Sequence, residues 1–293
     1  MANRRAIVKR RKAVRNIQKI TRTMQLIATA RFQAAMNRAT ASRPYVDKLA
    51  ELVGDLARGA GDGSLAHPLL ESPEAERRSV LVVVTSNRGL AGGYNAHLMR
   101  AAAEHVDTLA ARGVATDTYM VGKKGISAFR FRGREMHEKL THFDDKPTFD
   151  QVEPLAREVM GRFIAGDVES VYVAYMRFFS AGQQKPEVAR LLPIAQEGLA
   201  GAGEAAPPSQ YEIRPSAPVV LDQLLPATVR MRLYQAFLDA AVSEQIFRMT
   251  AMKAATEAAE DMIQDLTRQY NRARQTAITL ELLDIVGGAN ALA

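Results

Sequence analysis

The stretch RKAVRNIQKITRTMQLIATARFQAAMNRA, Arg11 to Ala39, has many basic residues and no acid, glycine or proline. Three readings compete for it: a targeting peptide, a nucleic-acid arm, or one strand of a long helical pair. A transit peptide is Arg-rich, acid-poor and amphipathic. This segment instead runs unbroken into the residues that follow, with no cleavage-like boundary. A nucleic-acid arm would add aromatic or base-reading side chains to its cations, and Phe32 is the one aromatic residue before Tyr45. The third reading rests on a stripe. Ile17, Ile20, Met24, Ile27, Arg31 and Ala34 alternate spacings of three and four, the coiled-coil period. Arg31 interrupts the stripe, which a long side chain that snorkels can tolerate. An amphipathic helix packed on an ordinary domain fits the composition equally.

The other end of the chain answers this stripe. Between Pro226 and Gly287 there is neither glycine nor proline, leaving about sixty residues, or about 90 Å of helix. A helix of that length outruns a compact core and implies a coiled coil. Its seam reads Met249, Met252, Thr256, Ala259, Ile263, Leu266, Tyr270, Ala273, Ala277 and Leu280, with alanines that permit close approach. Lys253, Glu257, Glu260, Asp261, Asp265, Arg268, Arg272 and Arg274 fall outward. Gly287-Gly288 is expected to end the helix. Two such helices from opposite ends of a chain can pair antiparallel, leaving the residues between them to fold as a separate body.

Those residues alternate strand and helix patterns. Val80–Thr85 reads as a buried strand, 96–112 as a helix, VATDTYMVG as a strand and KKGISAFRFRG as a short helix. A helix over 151–165 follows, then strands at SVYVAYMRF and EVARLLPI. The alternation predicts an α/β domain with a mainly parallel sheet. RGAGDGSLAHP at Arg58–Pro68 and GLAGAGEAAPP at Gly198–Pro208 read as loop and linker. The fold class is therefore α/β: a long antiparallel coiled coil of N- and C-terminal helices plus a central Rossmann-like domain. The expected boundaries are 1–57 for the first helix, 75–195 for the α/β domain, 196–220 for the linker, 221–287 for the second helix and 288–293 for a tail.

The 293 residues carry a net charge of +7, unevenly placed. Twelve Lys and Arg residues lie between Met1 and Arg43, and the first acid is Asp47. Such an arm attracts anionic surfaces. The chain has no cysteine, which removes disulfides, thiolate metal sites and cysteine catalysis. No apolar run reaches the roughly 18 residues of a membrane helix. GLAGG at Gly89–Gly93 sits between a strand and a helix, where phosphates bind, but lacks the G-x-G-x-x-G spacing. GKKG at Gly122–Gly125 lacks the P-loop pattern. Glycines serving a tight strand-to-helix turn account for both. The histidines show no metal-ligand spacing; His137 and His142 beside Asp144 and Asp145 read as a solvated loop. No nucleophile-and-base arrangement stands out, so no catalytic, cofactor or metal residue is assigned.

At this point the chain resembles a known family. NIQKITRTMQLIATARF is similar to the N-terminal helix of the ATP synthase gamma subunit, and RMTAMKAATEAAEDMIQDLTRQYNRARQTAITLELLDIVGGA to its C-terminal helix. TSNRGLAGGYN, GKKG and KPEVARLLP match its middle domain in order. The resemblance implies a non-catalytic rotor, one copy per complex, turning inside a hexamer of alpha and beta subunits. It implies contacts with the epsilon subunit and the membrane-embedded c-ring, no cofactor and no nucleic acid, and a place on the cytoplasmic face of a bacterial plasma membrane, reached only through the complex. Carried over by position, it implies that Met24, Arg248, Gln275, Thr279 and Glu281 contact beta subunits, and that Tyr211, Glu212 and Arg214 belong to the foot at the c-ring or epsilon. Leu280 to Leu292 would turn in an apolar sleeve. This chain departs from the family pattern at Asn87, usually Asp; at Ala91, often Cys; at Tyr94, usually Leu or Phe; at Arg31, usually Lys; and at Arg214, where an acid commonly precedes the proline. A basic coiled-coil protein that binds nucleic acid, and a nucleotide-binding enzyme using Gly89–Gly93, are the alternatives from other classes.

Overall fold

The computed structural model describes residues 4–59, 67–73, 75–194 and 216–292. In chain order the elements are α1 (Arg4–Gly59), β1 (Arg78–Val84), α2 (Tyr94–Ala111), β2 (Ala115–Val121), α3 (Lys123–Phe131), β3 (Glu138–Leu140), α4 (Phe149–Ile164), β4 (Ser170–Ser180), β5 (Gln183–Leu192) and α5 (Ala217–Leu292). They divide into two compact units. One comprises Met1–Ala30 with Arg248–Ala293, the other Arg31–Phe247.

The larger unit is built on a five-stranded sheet of order β3-β2-β1-β4-β5. β1 pairs in parallel with both β2 and β4, β2 pairs in parallel with β3, and β5 returns antiparallel to β4. The central strand is buried from Ser79 through Val84, as a parallel strand covered on both faces should be. Successive residues point to opposite faces. Val80, Val82 and Val84 join one core, with α4, Val53 and Leu56 of α1, and Leu221 to Ala240 of α5. Leu81 and Val83 join the other, with Tyr94, Leu98 and Ala102 of α2 and Ile126 and Phe129 of α3. The middle of the chain thus folds as the strand and helix patterns predict, with one addition. β3 has three residues, too few for a period-2 pattern to register. The edge strand β5 also starts earlier than its apolar run, at Gln183, and tolerates Pro186 as edge strands do.

The inner halves of both terminal helices belong to this unit, which is why the unit borders fall at Ala30 and Arg248 and not at 57 and 221. Ala35 and Ala39 of α1 pack with Phe178, Leu238, Val242 and Ile246. α5 begins before Pro226 and runs through it. An interior proline costs a helix ~3 kcal/mol, and Leu221, Leu225, Val229 and Leu233, buried at spacings of four, offset that cost. At its other end α5 continues through Gly287 and Gly288 to Leu292. Each helical glycine costs only about 1 kcal/mol relative to alanine, so the pair does not end the helix as the capping pattern suggested.

The smaller unit is an antiparallel helix pair. Arg11 lies over the Tyr270 ring at 5.2 Å. Ten residues further along α1, the Thr21 hydroxyl is 2.8 Å from that of Thr256, so the partner number falls as the α1 number rises. The α5 seam follows the spacing read from the sequence: Met252, Thr256, Ala259 and Leu266 are buried, and Met249, Ile263, Tyr270, Ala273 and Ala277 are half-buried, while Leu280 is exposed. The α1 seam does not follow it. The buried residues are Ile7, Val14, Thr21 and Ala28, seven apart. Ile17, Ile20 and Ile27 stand 53%, 58% and 48% exposed. The stripe assigned from hydrophobicity is displaced by one residue from the true one, which runs through Gln18, Thr21, Gln25 and Ala28. Small and polar side chains let the helices approach closely, and the isoleucines are left outside.

This register predicts unequal responses to substitution. In urea unfolding followed by circular dichroism, Ile20→Gln is expected to change stability by less than about 0.5 kcal/mol. Val14→Ala is expected to cost roughly 1–2 kcal/mol. Equal costs would restore the apolar stripe as the seam.

Candidate interaction surface

In the helix pair, the basic residues of α1 form the exposed side. Arg4, Arg5, Lys9, Arg10, Lys12, Arg15, Lys19 and Arg22 are all exposed, and the first turn holds no acid. Arg11 is half-buried against Tyr270. On α5 the outward charges read from the sequence are exposed, and some pair along the helix, as Lys253 with Glu257 and Arg268 with Asp265. Beyond Ala277 the apolar residues lose their cover: Leu280, Leu282, Leu283, Ile285 and Val286 are exposed.

The candidate contact residues fall into separate environments. Met24 is half-buried beside the α1 seam. Gln275, Thr279 and Glu281 are exposed near the free end of α5. Gln275 and Thr279 are four apart and share a face, and the Thr279 hydroxyl donates to the Gln275 carbonyl at 3.0 Å. Glu281 is turned about 200° from Thr279 at 100° per residue. Arg248 differs from all of these. It is 6% exposed and lies about 40 Å along α5 from Gln275 at 1.5 Å per residue. The structure therefore does not bring Arg248 and Gln275 together, and it buries Arg248. Tyr211, Glu212 and Arg214 lie outside the described residues.

In the α/β unit, the place where a nucleotide would sit is filled. Open parallel sheets bind ligands beyond the carboxyl ends of their strands, where the strand order reverses, here between β1 and β4. Phe237, Ala240, Ala241 and Glu244 of α5 cover the carboxyl ends of β1 and β2 with Val84, Thr85, Tyr94 and Val121, leaving a cavity of only about 30 Å³, and α5 also reaches β4. The Ser243 hydroxyl donates to the Met176 carbonyl at 3.1 Å, and Phe247 meets Tyr94 edge-on, ring centres 6.0 Å apart. The glycines of GKKG serve packing. Gly122 has φ +95°, and a Cβ there would lie 2.3 Å from the Thr85 carbonyl oxygen. A Cβ on Gly125 would lie 2.4 Å from the Met120 sulfur. Among the described residues no cluster of His, Asp or Glu could hold a metal ion.

Two residues that depart from the family pattern have partners the sequence did not disclose. Arg31 sits outside the seam and pairs with Asp145, which also lies 3.8 Å from Arg88. Asn87 clamps the ends of two loops. Its amide nitrogen donates to the Phe143 carbonyl and its side-chain oxygen accepts from the Lys123 N–H at 3.0 Å. An ionised Asp could accept but not donate. Asn87→Asp is therefore expected to destabilise the chain by about 1 kcal/mol at neutral pH. Facing a carbonyl oxygen, the introduced carboxyl would have a folded-state pKa above its unfolded value. The folded state then binds the extra proton, so the deficit shrinks as pH falls through the carboxylate range. Thermal unfolding of both forms between pH 4 and 7 measures it, and a pH-independent difference would refute the clamp.

The whole chain matches known proteins. A family model described as ATP synthase covers residues 3–292. The ATP synthase gamma chain of Rhodopirellula baltica is 42% identical over 296 residues, spanning 100% of this chain and 99% of the relative. That of Leptospira biflexa is 39% identical over 293 residues, with 100% of both chains covered. Among solved structures, a chain of the Euglena gracilis mitochondrial ATP synthase assembly of OSCP, F1 and c-ring shares the fold. Its TM-score is 0.66 at 17% identity, covering 99% of this chain and 94% of that one. A second, from the Euglena gracilis rotor, has a TM-score of 0.62 at 15% identity, covering 94% and 98%. With this agreement along its full length, the chain belongs to the ATP synthase gamma-chain family.

Proposed function

We propose that this chain is the central-stalk rotor of an F-type ATP synthase. It transmits torque between an ion-driven c-ring in the membrane and a catalytic hexamer of alpha and beta subunits, and carries no catalytic residue itself. The observation that supports this best is the helix pair of a full-length gamma-chain relative, with a basic exposed face and an uncovered apolar end. A rotor must be gripped and released at every step. Exposed ion pairs of about 0–1 kcal/mol suit that need, because acidic segments of beta can meet the α1 cations and leave again. The exposed run from Leu280 onward suits an apolar sleeve at the top of the hexamer, where weakly directional contacts permit rotation.

On this reading Met24, Gln275, Thr279 and Glu281 meet beta subunits as the shaft turns. The buried Arg248 acts from within the shaft. Tyr211, Glu212 and Arg214 belong to the foot that meets the c-ring and epsilon. Among the described residues no helix is long and apolar enough to cross a membrane, and the place of action is the cytoplasmic face of a bacterial plasma membrane, through the complex.

Reconstitution tests the reading. Mixed with alpha and beta subunits from the same source, the chain should form a defined complex with much higher ATPase turnover than alpha and beta alone. Gln275→Ala should still assemble but turn over roughly two- to tenfold more slowly, the effect of one lost hydrogen bond. A well-folded chain that neither assembles nor activates would overturn the rotor reading. Salt-sensitive DNA binding by that chain would then favour the nucleic-acid alternative.

A further inference from the structure

The α/β unit holds a second cavity, away from the filled crevice. It has a volume of about 460 Å³ and lies among α1, the β4–β5 hairpin and α5. Four arginines line it: Arg43, Arg177, Arg190 and Arg232. Two of them are engaged. Arg43 donates to the Phe178 carbonyl at 3.2 Å and lies 3.9 Å from Asp239. Arg177 pairs with Glu187 at 3.0 Å and lies over the Phe179 ring. The other two are not engaged. Neither Arg190 nor Arg232 makes an ion pair among the described residues, and Asp47, which also lines the cavity, pairs with neither.

Arg232 is the unusual group. Burial lowers its pKa from the usual guanidinium value, and only the nearby Tyr175 hydroxyl works the other way. It nonetheless remains a cation at neutral pH. The acids are engaged elsewhere: Glu187 pairs with Arg177, and Asp239 accepts from the Gln235 amide at 2.9 Å and lies 3.9 Å from Arg43. Arg232 is half-buried, and a cation partly withdrawn from water with no counter-charge gains from an anion that pairs with it. A guanidinium presents its N–H groups as a planar fork that matches two oxygens of a carboxylate or phosphate.

We propose that this cavity binds a small inorganic oxyanion of the phosphate class, held by Arg232 with Arg190 at the rim. The site is independent of the rotor reading, because it rests on residues of the α/β unit alone. It gives Arg232 the counter-charge that its own chain does not provide. The choice of an oxyanion over chloride follows from the fork, which favours two acceptor oxygens held at a fixed spacing.

The full chain, purified in chloride buffer, is titrated calorimetrically with inorganic phosphate and then with sulfate. Saturable binding of one phosphate per chain is expected, with a rise in Tm over chloride at equal ionic strength. Arg232→Gln should weaken binding roughly ten- to hundredfold, the effect of losing a charge-assisted pair. Arg190→Gln should weaken it less, and Arg268→Gln, on the helix pair, not at all. If Arg232→Gln fails to fold by circular dichroism, Arg232→Lys keeps the charge and loses the fork, and should bind more weakly than the unaltered chain. Absence of saturable binding by the unaltered chain would overturn the proposal. So would undiminished binding by a folded Arg232 variant, or an equal loss in Arg268→Gln.

Discussion

The packing of α5 against the sheet is the constraint on which the α/β unit depends. Leu221, Leu225, Val229, Leu233 and Phe237 are buried at spacings of four, each adding about 1.5–3 kcal/mol of apolar burial. That stripe carries the helix through Pro226. Continued as Ala240, Ala241 and Glu244, the same helix occupies the crevice where a sheet of this topology would take a nucleotide. A fold associated with nucleotides is here made into a support for a helix, and the absence of phosphate-binding motifs follows the geometry. Gly122 and Gly125 were kept small for the same kind of reason, to let α3 approach Thr85 and Met120.

The helix pair obeys a different rule. Its seam has little apolar volume: in α1, Ala28 and the Thr21 hydroxyl stand where a conventional coiled coil would place Leu or Ile. Close approach and one hydroxyl contact replace bulk. Such a seam contributes less burial per turn, and it leaves Ile17, Ile20 and Ile27 facing outward among cations. An apolar and basic exterior suits a helix pair that works inside a surrounding assembly, where its outer face becomes an interface. The exposed end of α5 makes the same argument from apolar residues alone.

Charge placement separates the two units further. In the helix pair the cations of α1 other than Arg11 are exposed, with no acid among them in sequence, as an anion-seeking face requires. In the α/β unit several charges are paired across elements, as with Arg162 and Asp117 or Arg230 and Glu153. Arg232 is half-buried without such a pair, and Asn87 and Arg31 show how single positions that depart from the family can be matched by local partners.

The sequence by itself determined the element types, because long runs without glycine or proline and runs of β-branched residues carry their own periods. It determined the α5 seam, where apolar residues recur unambiguously, and family membership, where long motifs match in order. It did not determine the α1 seam. An isoleucine stripe and a small, polar one lie one residue apart there, and only the facing surface of α5 decides which is buried. The partner of Arg31, the clamp at Asn87, the burial of Arg248 and the cavity around Arg232 were likewise decided by tertiary structure. Each joins residues from separate elements, at distances in sequence that no local period records.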